Sequence, residues 1–199
     1  MKEALLVIDV QKIYTESDSN LCCVGNDKTI ENINKLIDNF TKRNELIIMV
    51  RHMHKKDGSD LGRMFDFAGE SEDFNFKEDS NEVKYAENLK RPKNVIEITK
   101  NRYSAFKNTD LDRILKKHKV KKVVICGFMT NFCCESTARE AHDMDYFVDF
   151  IIDATGCPDL PSLTQNQIKK VVSETLANGW AVMLTTDEYI KQKRGEACH

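Results

Sequence analysis

With 199 residues and 41% hydrophobic side chains, the chain can bury roughly 70% of its unfolded surface in one core. A single domain over residues 1–199 is predicted. Lysine and arginine number 30 against 32 aspartates and glutamates, a net charge of −2. The two signs are interspersed, which excludes the basic stripe of a nucleic-acid binder. The first apolar run, residues 4–8, stops at Asp9, too short for a signal core or a membrane span. Neither nucleic acid nor membrane is an expected partner, and a cytoplasmic location is predicted. The seven cysteines include two adjacent pairs, Cys22-Cys23 and Cys133-Cys134, and no C-x-x-C spacing. That pattern suits free thiols in a reducing compartment better than a disulfide framework or a zinc ribbon.

Short apolar runs at 4–8, 46–50, 95–98, 123–126, 147–152 and 181–184 alternate with helix-like stretches. Nearly continuous runs of this kind are strands covered on both faces. The predicted fold is therefore α/β, a three-layer sandwich around a mostly parallel six-stranded sheet. Ile30, Ile33, Leu36, Ile37 and Phe40 mark the first helix, with Asp27 or Thr29 as its cap. Leu111, Ile114 and Leu115 mark a second, begun near Thr109. A third follows Thr130 and Asn131 and passes through Ala138 and Ala141. A fourth holds Leu163, Ile168, Val171, Val172 and Leu176, with Asn178-Gly179 as its left-handed stop. Residues 52–93 are polar and without clear period, and read as a pocket wall or lid.

In open α/β sheets reactive groups gather at the carboxyl ends of strands. Three such ends here carry chemistry: Asp9, Lys100, and the stretch from Gly127 to Cys133. Each admits a plain reading alone. Cys133 is a small buried hydrophobe or, at the first turn of a helix, a stabilised thiolate. Asp9 is a ligand, a base or a loop cap. Lys100 is a surface lysine or a cation beside the other two. Together they supply the thiol, proton acceptor and cation that covalent acyl chemistry needs. His52 and His54, two apart on an extended chain, face the same side and admit a metal pair, though structural or orienting roles are preferred. His118, His142 and His199 carry no motif.

Three blocks resemble the signature of isochorismatase-like cysteine hydrolases: Leu6-Val7-Ile8-Asp9-Val10-Gln11, Lys100-Asn101-Arg102-Tyr103-Ser104-Ala105-Phe106, and Gly127 through Ala141. They stand in the family's order and span nearly the whole chain. The resemblance implies a Rossmann-like strand order and a catalytic Asp9–Lys100–Cys133 triad. It places a cis peptide at Phe128–Met129, with the Met129 and Cys133 N–H groups as oxyanion hole. It further implies substrate contacts among Gln11, Tyr14, His54, Tyr103 and Phe128, and a homo-oligomer. Relatives that cleave a vinyl ether typically lack this cysteine, so an amidohydrolase is favoured, acting on a small amide, carbamoyl or ureido compound and water. Similar nicotinamidases bind a metal through an Asp-x-His pair and a later histidine. Here His52 replaces that aspartate and no later histidine follows, so no cofactor and no metal are expected. The loop at 57–64 looks more like that of carbamoyl- or ureido-type amidohydrolases. A metal-assisted nicotinamidase and a catalytically silent binding protein are the competing readings.

Overall fold

The computed structural model describes residues 1–66 and 74–195. Its sheet has six parallel strands: β1 (Glu3–Ile8), β2 (Leu46–His52), β3 (Ile96–Lys100), β4 (Lys122–Phe128), β5 (Phe147–Gly156) and β6 (Val182–Leu184). Their order is β3-β2-β1-β4-β5-β6, the strand sequence of a doubly wound fold, which reverses between β1 and β4. Residues of β1 alternate between two buried clusters. Leu5 and Val7 pack with Ile33, Leu36, Phe40 and Tyr189, under helices α1 (Asn26–Lys42) and α5 (Thr186–Arg194). Ala4, Leu6 and Ile8 pack with Leu111, Ala138 and Leu176, under α2 (Leu111–Lys117), α3 (Glu135–Asp143) and α4 (Gln165–Ala177). Burial on both faces explains why β1 reads as a continuous apolar run.

Several local expectations are corrected. Helix α1 begins at Asn26 after Gly25 in a left-handed conformation (φ 69), leaving Asp27 in the first turn and neither Asp27 nor Thr29 as cap. The residue following α4 is Asn178 at φ −88, and Gly179 is not among the positive-φ glycines, so no left-handed stop ends that helix. Helix α5 was not anticipated, because its nine residues bury only Thr186 and Tyr189 and give no apolar period. Its sequence signal is Thr185-x-x-Glu188, which forms a capping box in the structure. Beyond His52, which ends β2, the described part of 52–93 contains no helix or strand. It packs Phe76, Val83, Tyr85, Ala86 and Leu89 into the core on the α1 side. Residues 67–73 of that expected lid, and His199, lie outside the described residues.

One glycine sets the geometry next to the site. Gly127, in β4, has φ 122, and a Cβ there would run into the Ile8 carbonyl oxygen of β1. The register with β5 shifts between Ile125 and Gly127. A Gly127→Ala protein is expected to lose more than about 4 kcal/mol, because backbone clash and positive φ act together. Urea denaturation measures it, and a loss under about 1 kcal/mol would contradict the packing described.

Candidate active site

The switch point between β1 and β4 collects the polar groups. Asp9 follows β1 directly with a left-handed backbone (φ 49), its N–H bonded to the Val50 carbonyl. Lys100 ends β3, two strands away, and is in register with His52 at the end of β2. Its long side chain passes beside His52 and reaches the switch point. Cys133 lies in a π-helical turn, Thr130–Cys134, between β4 and α3, so the expected first α-turn is instead a wider one of the kind common at functional sites. The Phe128–Met129 peptide leading into it is cis. Thr137 then fastens the turn: its hydroxyl donates to the Cys133 carbonyl (2.6 Å) and accepts from the Ala105 N–H (3.0 Å). The segment after Lys100 is thereby tied to the cysteine turn.

The three side chains converge. Lys100 Nζ is 2.7 Å from Asp9 Oδ2 and 3.2 Å from Cys133 Sγ. It also donates to the Arg102 carbonyl (3.0 Å) and lies 3.1 Å from His52 Nδ1. Asp9 is 0% exposed, and Lys100 and Cys133 are each 2% exposed. Burial sets the direction of the shift at Asp9 and Cys133. It pushes the Cys133 thiol up to about 12, with Lys100 pulling down and Asp9 adding to the rise. The resting sulfur is therefore a thiol, where a helix terminus alone suggests a thiolate. Burial also raises Asp9, against the pull of Lys100. Lys100 stays raised in spite of its own burial, because Asp9 and Cys133 hold its charge. A carboxylate raised by desolvation next to a thiol is equipped to take a proton from it.

The residues around this centre divide by what they touch. Gln11, expected at the substrate, has its amide committed to backbone. It donates to the His52 and Val83 carbonyls (2.9 and 3.0 Å) and accepts from the His52 N–H (2.8 Å). Its amide thereby joins the end of β2 to the segment at Val83. Tyr14 is buried between Phe128 (5.5 Å between ring centres) and Phe76 (5.9 Å). Phe128 is also fully buried, so both are walls. Tyr103 is 39% exposed and packs on Phe132; burial, then the nearby Cys133, raises its phenol. It stands at the solvent side of the sulfur. Arg63 pairs with Asp66, Arg102 donates to the Asp60 carbonyl, and Arg51 lies over the Tyr85 ring.

His52 and His54 are buried, and their Nε2 atoms are 2.9 Å apart. His54 Nδ1 faces Asp60 Oδ1 at 3.4 Å. A tetrahedral zinc holding both rings at ordinary Zn–N lengths would set the two nitrogens about 3.3 Å apart, both aimed at the ion. Here they aim at each other. Asp9, His52 and Cys133 do offer ligand atoms within 4.8 Å of one another, but the Lys100 ammonium contacts all three residues. The arrangement does not fit a resident divalent ion, and no step below uses one.

The Isochorismatase domain family matches residues 3–188. This chain belongs to that family. Nicotinamidase 3 of Arabidopsis thaliana is 30% identical over 93% of this chain and 85% of its own length. The crystal structure of a cysteine hydrolase from Pseudomonas syringae pv. phaseolicola superposes with TM-score 0.90 at 28% identity, covering 98% of this chain and 93% of that one. A ureidoacrylate amidohydrolase of Methylorubrum extorquens is 36% identical over 38% of this chain and 31% of its own. The chain is thus an isochorismatase-like hydrolase. Among its described residues no helix is long and apolar enough to cross a membrane. The six described cysteines are free.

Proposed function

We propose that this isochorismatase-family hydrolase cleaves a small amide, carbamoyl or ureido C–N bond by covalent catalysis at Cys133. The observation that carries the reading is the contact of Lys100 with both Asp9 and Cys133 at 2.7 and 3.2 Å. Asp9 takes the thiol proton, and Lys100 balances the negative sulfur as it attacks the carbonyl carbon. The Met129 and Cys133 N–H groups receive the oxyanion. Protonated Asp9 passes its proton to the departing nitrogen, releasing ammonia or an amine and leaving a thioester. Asp9 then removes a proton from water, whose attack frees the acid and returns the thiol. Tyr103, the exposed group beside the sulfur, is the substrate-facing member of the contact set, with Tyr14, Phe128 and His54 behind it.

Family membership and the two amidohydrolase relatives support the bond class. The test is ammonia release over a panel of nicotinamide, carbamoyl and ureido compounds, with the enzyme prepared in chelator. Turnover of at least one member, blocked by stoichiometric alkylation of Cys133, is the expected result. Nicotinamide hydrolysis that requires a stoichiometric metal would replace this reading with the metal-assisted one. Alkylation of Cys133 no faster than of Cys157, with no turnover of any member, would leave a silent binding protein.

A further inference from the structure

The acceptors around Lys100 outnumber its hydrogens. An ammonium has three N–H bonds, yet Nζ lies within 3.2 Å of four acceptors: Asp9 Oδ2, the Arg102 carbonyl, His52 Nδ1 and Cys133 Sγ. A neutral thiol sulfur is a weak acceptor, and it is also the most distant of the four. Two hydrogens serve the Arg102 carbonyl and His52 Nδ1, and the third faces Cys133 Sγ, with the Asp9 carboxylate held at 2.7 Å as an ion pair off the hydrogen-bond directions.

That assignment fixes the histidines. An ammonium can only donate, so the facing His52 Nδ1 carries no hydrogen. A neutral His52 then has its hydrogen on Nε2, which points at His54 Nε2 at 2.9 Å. His54 Nε2 must in turn be bare, which puts the His54 hydrogen on Nδ1, the ring nitrogen on the Asp60 side, 3.4 Å from Oδ1 and outside hydrogen-bond alignment. Asp60 is itself held as a carboxylate by Asn101 Nδ2 (3.1 Å) and the Lys55 N–H (3.0 Å). Only one set of neutral tautomers satisfies both hydrogen bonds from Lys100 to His54. The His52 ring lies flat on Phe76, centres 4.6 Å apart, so an apolar face closes it off. Burial, with the nearby Lys100 charge, lowers the basicity of His52, and burial does the same for His54.

We propose that His52 and His54 are positioning residues, a neutral imidazole pair of single tautomer that fixes the Lys100 ammonium from one side. The idea rests on the hydrolytic reading of the triad. With His52 and the Arg102 carbonyl as permanent anchors, one N–H of Lys100 remains mobile. It lies between the Asp9 carboxylate and the sulfur, 2.7 and 3.2 Å from Nζ. When the thiol proton moves from Sγ to the Asp9 carboxylate, Asp9 becomes the poorer acceptor and the N–H turns to the thiolate. The bonds to His52 and the Arg102 carbonyl are kept throughout. Two neutral anchors let the ammonium pivot without drifting, which keeps its charge beside whichever partner is negative.

Histidine-selective nitrogen-15 NMR of the whole protein at pH 7 reads the tautomers without any substrate. The expected spectrum has His52 protonated on Nε2 and His54 on Nδ1, both neutral. Reversed tautomers, or a charged ring on either residue, would overturn the proposal. Kinetics supply the second arm. His52→Leu is expected to lower kcat about 10- to 100-fold with little change in KM, as a displaced catalytic group does. His52→Asn, which returns a polar acceptor at the Nδ1 position, should recover most of it. His54→Leu should behave like His52→Leu, and His54→Gln should restore the acceptor at Nε2. An Asn or Gln variant as slow as its Leu counterpart would count against positioning. If the tautomers are as stated but no amide is hydrolysed, the hydrolytic reading fails and the imidazole chain stands. If amides are cleaved with the tautomers reversed, the chain alone fails.

Discussion

Cys133→Ala is expected to lose hydrolysis by a factor on the order of 10⁴ or more while keeping its fold. The catalytic part follows from what the sulfur alone supplies. Lys100 and Asp9 are poor nucleophiles as placed, the one protonated and the other paired at 2.7 Å. Without the thiol, a water must attack the carbonyl directly and the two-step path is gone. The structural part follows from size and surroundings. Cys133 packs in the cluster with Ile8, Ala105 and Cys134, and deleting one sulfur leaves a void smaller than a methylene pair. Asp9 and Lys100 keep each other, so no buried charge is orphaned. A loss of about 1–2 kcal/mol is expected. Cys157→Ala is the control: it is also buried but lies outside the triad, and its turnover should match the parent. Ammonia release by Cys133→Ala above a few per cent of the parent rate would remove the sulfur from the reaction.

How much of this was legible in the chain depends on the kind of signal. The six strands were readable because burial on both faces demands unbroken apolar runs, as in Leu5, Leu6, Val7 and Ile8. Their polar stops pointed to Asp9, Lys100 and the turn at Cys133. What spacing could not supply was the meeting of residues from β1, β2, β3 and the 52–93 segment. His52 and His54 admitted a ligand pair beside the preferred orienting role, because periodicity gives the side a residue faces and not the direction its lone pairs take. The role of Gln11 is set by backbone partners far away in the chain, Val83 and His52. The loop carrying Asp60 has no period to read, so its contact with His54 appears only when the chain is folded. Burial likewise overrode a local expectation: the turn at Cys133 suggested a thiolate, and desolvation makes it a thiol.

Removing the cation has a larger effect on stability than removing the nucleophile. In Lys100→Met the fully buried Asp9 has lost its counter-charge, and breaking a buried pair from one side costs about 3–5 kcal/mol. The protein can lessen that cost only by keeping Asp9 protonated, so the deficit carries a pH signature. Burial already raises Asp9, and without Lys100 the rise is greater. Below the unfolded aspartate value, near 3.9, both states hold the proton and the variant is closest to its parent. As pH climbs from there through the raised folded value, the unfolded chain ionises first and the variant loses ground. Denaturation of parent and variant between about pH 4 and 8 should show this widening gap. The companion substitution separates charge from shape. Asp9→Asn with Lys100→Met removes both charges, so the double variant should be more stable than the sum of the singles predicts by about 2–3 kcal/mol. None of the three variants should turn over substrate at more than about a thousandth of the parent rate, since each lacks the base, the cation or both. Strict additivity within about 0.5 kcal/mol would show that the two residues do not interact, and the proton-transfer role assigned to Asp9 would lose its partner.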